Sequence, residues 1–125
     1  MSTELKYGND YPKSCPPSNA VPIEGNFYRL CATNPPTLTD FKTHVDLGLS
    51  FPPQKICEAK ALSFFTNLDS IEEMKKRFPR FKNMIAVLVS VSSAHGVSVL
   101  SDDHLNLWEY QGVNFLQKEG GVKNE

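Results

Sequence analysis

Arg29, Ser63 and Glu109 are the polar residues of this chain whose setting invites chemistry. Each falls in a run that reads as a β-strand: Phe27-Tyr28-Arg29-Leu30, Ala61-Leu62-Ser63-Phe64-Phe65 and Leu105-Asn106-Leu107-Trp108-Glu109-Tyr110. Alternation along a strand puts Phe27, Arg29 and Cys31 on one face, and Leu105, Leu107 and Glu109 on one face. A guanidinium and a carboxylate among apolar neighbours are costly unless they are paired, stand at strand ends or line a cleft. Two readings follow. Arg29 and Glu109 form a cross-strand ion pair with an incidental serine at 63, or the three groups converge on a hollow and act together.

The other reactive residue types are less well placed. Cys15, Cys31 and Cys57 are odd in number and widely spaced, with no C-x-x-C, so a closed zinc site is not expected. That count, and an N-terminus without an apolar h-region, predict free thiols in a reducing cytoplasm. Lys55 and Lys60 flank Cys57 and would favour its thiolate, but a small buried hydrophobe is the commoner role for such a cysteine. His44, His95 and His104 make no H-x-x-x-H motif. Asp102-Asp103-His104 reads as turn chemistry before it reads as a cation site, because adjacent strand residues point to opposite faces. Ser90, Ser92, Ser93 and Ser98 lack a G-x-S-x-G context, and no glycine-rich phosphate loop occurs.

Lys75-Lys76-Arg77-Phe78-Pro79-Arg80-Phe81-Lys82 interleaves five cations with two aromatics, the composition of a nucleic-acid patch. Glu72 and Glu73 stand four residues before Lys76 and Arg77, and cations complement a helix C-terminus. A solvated helix end is the preferred reading, and nucleic-acid binding is not expected. The net charge of −1 likewise argues against a dedicated polyanion binder.

These groups need a scaffold, and the punctuation supplies one. Residues 1–21, rich in proline, read as an arm over the surface of a single domain spanning 22–117, with a tail at 118–125. Phe27–Ala32 predicts a first strand. Thr37-Leu38-Thr39-Asp40 reads as a capping box for a helix that ends at Gly48. Gln54–Ala61 predicts a second helix, Leu62–Thr66 a strand, and Ser70-Ile71-Glu72-Glu73 a second capping box for a helix closed by Pro79. Met84–Val91 has the aliphatic composition of a central strand buried on both faces. Val97–Leu100, Leu105–Tyr110 and Val113–Leu116 complete a meander. The class is α+β: a mixed or antiparallel sheet of about six strands with two to three helices. The longest apolar run, Met84–Val89, is far short of the ~20 residues that span a bilayer, so no membrane partner is expected.

An Arg on the first strand, a Ser on the second and a Glu on the fifth resemble the R-S-E arrangement of ADP-ribosyltransferase-type domains, and the element order is similar to that fold. The resemblance implies NAD as cofactor. Arg29 would hold the diphosphate or the nicotinamide ribose, Ser63 would position that ribose, and Glu109 would bind a ribose hydroxyl and stabilise the oxocarbenium as nicotinamide leaves. Tyr28, Phe64, Phe65 or Trp108 would stack on nicotinamide. The sequence departs from the family at Ser63-Phe64-Phe65-Thr66, where Ser-Thr-Ser is usual, and at Leu107, where an acidic residue or Gln is common. Separately, Tyr28-Arg29-Leu30, Asn34-Pro35-Pro36-Thr37, Asp40-Phe41, Cys57, Leu62-Ser63-Phe64, His104 and Trp108 resemble a pattern in small uncharacterised bacterial proteins, which implies a bacterial or phage origin and no particular activity. Two functions are carried forward. One is an active or degenerate NAD-binding domain of a toxin or defence module. The other is a non-catalytic immunity- or antitoxin-type protein that binds a cognate partner through its arm, strand edges or basic helix end.

Overall fold

In the computed structural model, which describes residues 3–116, five strands form one wholly antiparallel sheet. They are β1 (Gly25–Cys31), β2 (Leu62–Phe65), β3 (Ile85–Val91), β4 (Gly96–Ser101) and β5 (His104–Glu109), in the spatial order β3-β1-β2-β5-β4. Helices α1 (His44–Leu47), α2 (Ile56–Ala59) and α3 (Leu68–Arg77) all precede β3, so the α+β class matches the sequence expectation. The expected late meander reduces to the β4–β5 hairpin, because β3 pairs with β1 and lies at the edge opposite β4. No helix among the described residues is long and apolar enough to cross a membrane.

Register defines an inner face. Phe27, Arg29 and Cys31 pair with Val89, Val87 and Ile85, while Leu62 and Phe64 pair with Leu107 and Leu105. Most of these apolar side chains join one core with Val91, Phe41 and Phe115. Phe115 stacks on Phe41 at 5.1 Å between centroids and contacts the rings of Phe64 and His95. Residues 113–116, expected as a sixth strand, are therefore a non-strand segment that drops Phe115 onto the core. An aromatic plug and a strand share the same apolar composition, which is why the two were indistinguishable. The expected tail, 118–125, lies outside the described residues.

Other corrections have local causes. The helix expected from Leu38 to Gly48 is a 3-10 turn (Leu38–Phe41) followed by the single turn of α1. Thr43 restarts it: its Oγ1 accepts the Asp46 amide at 3.1 Å. Gly48 ends α1 at φ +69°, as its position suggested. The second helix divides likewise into a 3-10 turn (Pro53–Lys55) and α2. The cap of α3 is Asn67, whose Oδ1 accepts the Ser70 amide at 2.9 Å, so Ser70 lies inside the helix. Lys75 pairs with Glu72 at 4.0 Å, and the expected pairs to Lys76 and Arg77 do not form.

Two corrections bear on function. Cys15 and Cys57 are joined in a disulfide across 42 residues of sequence, and only Cys31 is a free, buried thiol. The arm folds back beside α2, a proximity that cysteine spacing cannot encode, and the bond runs against the expected reducing compartment. Burial pushes the Cys31 thiol up to about 12, which keeps it protonated. The second correction concerns β3: despite its central-strand composition, it stands at the edge of the sheet.

Candidate functional site

Arg29 is built into the structure through backbone carbonyls. Its Nε donates to Asp40 at 2.7 Å, Nη1 to Ser63 at 2.8 Å and Nη2 to Lys42 at 3.5 Å. The guanidinium carbon lies 5.6 Å from the Phe64 ring centroid and 5.8 Å from that of Phe41, within cation–π range. Burial lowers its pKa, with Glu109 and Asp40 among the charges that oppose the shift. One side chain thus ties β1 to β2 and to the 37–42 turn. Asp40 fixes that turn in return, its carboxylate accepting the amides of Ala32 and Thr37, each at 2.8 Å.

Spatial order sets β1, β2 and β5 side by side, so the three candidate residues do stand on neighbouring strands. Their side chains do not converge. Arg29 and Glu109 share the inner face. Ser63 lies between inward Leu62 and Phe64 and opposite Asn106, so its hydroxyl is on the reverse face, and it meets Arg29 only through its carbonyl. The expected Arg29–Glu109 pair also fails to form, because β2 separates β1 from β5. The candidate stacking groups divide in the same way. Phe64 is fully buried on the inner face, whereas Tyr28, Phe65 and Trp108 belong to the reverse face, where the Trp108 indole donates to the Cys57 carbonyl at 3.0 Å.

Glu109 instead meets the arm. It is 5% exposed and lies 3.4 Å from the Lys6 ammonium, which also pairs with Asp46 at 2.5 Å. The Tyr7 hydroxyl bonds to Thr43 Oγ1 at 2.5 Å and to Asp46 Oδ1 at 2.7 Å. Lys60, 5% exposed, donates to the Asp10 carbonyl and lies 5.3 and 5.4 Å from the Tyr7 and Tyr11 ring centroids. Sequence reasoning missed this cluster because its partners are 36 to 103 residues apart. The one available signal was the run of polar and aromatic types at 4–11, too much for a solvated arm. An open cleft of about 570 Å³ lies beside it, lined by Asp10, Tyr11, Pro12, Leu49, Phe51 and Lys60 among others, and contains none of Arg29, Ser63 and Glu109.

Asp102 and Asp103 form the turn between β4 and β5, as expected, and His104 is the first residue of β5. Asp103 accepts from Thr66 at 3.2 Å and Ser70 at 3.1 Å, while His104 packs on Phe65. No group of three potential metal ligands occurs among the described residues.

The two carboxylates around Lys6 titrate in opposite directions. Burial raises Glu109 above the ordinary 4.5, with Lys6 opposing. Burial also works to raise Asp46, but the hydrogen bonds from Lys6 and Tyr7 outweigh it and leave Asp46 below 3.8. A depressed folded pKa stabilises above the unfolded value and is lost as pH falls through the folded one; a raised folded pKa does the reverse. Urea unfolding between about pH 3 and pH 8 should therefore show Asp46→Asn losing ground to wild type as pH rises, and Glu109→Gln gaining ground. Parallel pH profiles for the two variants would refute the arrangement.

Comparison with protein-family models, curated proteins and solved structures returns no match to this chain. Fold and site define its class: a small single-domain α+β protein with one antiparallel five-stranded sheet, whose inner-face charges are engaged in holding the sheet and its arm together.

Proposed function

We propose that this protein is a non-catalytic protein-binding module and that its contact is the open edge of β3. One observation carries the reading: Ile-Ala-Val-Leu-Val-Ser-Val, a seven-residue run without charge or proline, has no strand paired to its outer side among the described residues. Natural sheet edges are normally blunted by charge, proline, bulges or a covering segment. β4, at the other edge, follows that rule in part, since Val21 bonds to Ser98 in both directions at 3.0 and 2.8 Å. β3 presents half-buried Ala86, Leu88 and Ser90 on its reverse face and has no such cover among the described residues. An extended segment of another protein can add there as a sixth strand, taking affinity from the main chain. An immunity- or antitoxin-type subunit, which works by occupying another protein, needs no more than this.

The NAD-binding reading draws support from the adjacency of β1, β2 and β5, and from Arg29 and Glu109 sharing a face. It is the outcome that would overturn the proposal.

The test selects a displayed random peptide library on the intact protein, counter-selecting on Ala86→Lys/Ser90→Lys, which places lysines on the edge. Enriched peptides should protect amides of Ile85–Val91 from hydrogen exchange, and the double variant should melt near wild type yet bind none. Peptides that protect no β3 amide would refute the reading. So would a rise in melting temperature with NAD that Glu109→Gln abolishes.

A further inference from the structure

Immediately upstream of β3 stand exposed Lys76 and Arg77, at the end of α3, then Arg80 and Lys82 around the Pro79–Phe81 turn. No carboxylate among the described residues lies within 4.0 Å of any of these four cations; Lys75 alone in the run is paired. Arg80 is held at a defined place, its guanidinium 4.7 Å from the Phe81 centroid and 5.7 Å from that of Phe78. Phe78, whose ring centroid lies 5.9 Å from that of Phe81, is exposed beside these cations, and Ile85 is exposed at the start of the strand. A mere helix-end complement to the dipole accounts for Lys76 and Arg77. It does not account for Arg80 and Lys82, which lie beyond the helix.

Direction then fixes the partner. Every ladder in this sheet is antiparallel. A strand added antiparallel to β3 begins beside Val91 and ends beside Ile85, so the residues following it meet Lys82, Arg80 and the end of α3. We infer that the partner of this surface is an extended, alternately apolar segment of another protein, followed on its C-terminal side by a block of acidic residues. The inference rests on the β3-edge reading and adds polarity and charge to it. Opposite charge at such a rim speeds encounter and sets register, and the acidic block selects one orientation of a main-chain contact that is otherwise indifferent to sequence.

The peptides selected on the intact protein test this directly. Their apolar stretch should be followed, not preceded, by Asp or Glu. Moving the acidic block of one such peptide to its N-terminal end should weaken binding about tenfold, as should Arg80→Glu/Lys82→Glu, and added salt should erase the difference. The double variant replaces two exposed residues, and circular dichroism verifies that it folds. Peptides that protect β3 but show no acidic bias would end this inference and leave the edge reading standing; peptides that avoid β3 would end both. A single-stranded oligonucleotide that binds wild type but not Arg80→Glu/Lys82→Glu, and displaces the peptides, would make the basic run a nucleic-acid surface and overturn the assignment.

Discussion

Arg29→Ala should destabilise the fold by about 3 kcal/mol, a fall in melting temperature of roughly 10 °C for a chain of this size. The guanidinium donates to the Asp40 and Ser63 carbonyls at 2.7 and 2.8 Å and packs near two core rings. Truncation leaves those carbonyls without their donor and opens space beside Phe41 and Phe64. Arg29→Lys should recover only part of the loss, because a single ammonium cannot reproduce a fork whose Nε and Nη1 point to different elements. Urea unfolding of the three proteins measures it. The experiment also separates the two roles considered for this residue. A group reserved for a cofactor diphosphate would be dispensable to folding, so an Arg29→Ala protein with an unchanged midpoint and a lost response to NAD would restore the enzymatic reading.

How far the sequence carried depends on the range of the interaction. β1, β2, β4 and β5 were legible because alternation and flanking turns are local signals, as was the Gly48 stop. The first helix was misjudged for a local reason too: Thr43 caps a new turn within the span that Leu38, Phe41 and Val45 marked as continuous. What could not be read was any contact made by the arm. Lys6 reaches Asp46 across 40 residues and Glu109 across 103, and Cys15 reaches Cys57 across 42. The candidate site failed in an instructive way. The strands of Arg29, Ser63 and Glu109 are neighbours, but side-chain parity depends on a one-residue register that composition does not fix. β3 shows the converse. Its composition was read correctly and its place was not, and that mismatch now supports the proposed function.

Gly96→Ala should be the most damaging small substitution in the molecule. The turn Ser92–His95 closes through the His95 amide on the Ser92 carbonyl at 3.0 Å, and the Tyr110 amide then bonds to the His95 carbonyl at 2.9 Å. These bonds bring Gly96, at φ +157°, directly against β5, where it pairs with Glu109. A Cβ there would stand 2.1 Å from the Trp108 carbonyl oxygen and 3.0 Å from the Glu109 Cα. Both are backbone atoms that no rotamer change can move, so β4 must shift away from β5 or the ladder must open at this end. Either response disturbs Trp108, which is buried, and Glu109, on which Lys6 and the arm depend. The expected cost is about 3–4 kcal/mol, at the upper end of single-residue effects. Hydrogen exchange should show it first in the amides of Val97 and Trp108, with the β1–β3 ladder retaining its protection relative to the global midpoint. A Gly96→Ala protein less than about 1 kcal/mol below wild type would mean that β4 and β5 are not held this closely, and the register that places Glu109 on the inner face would fall with them.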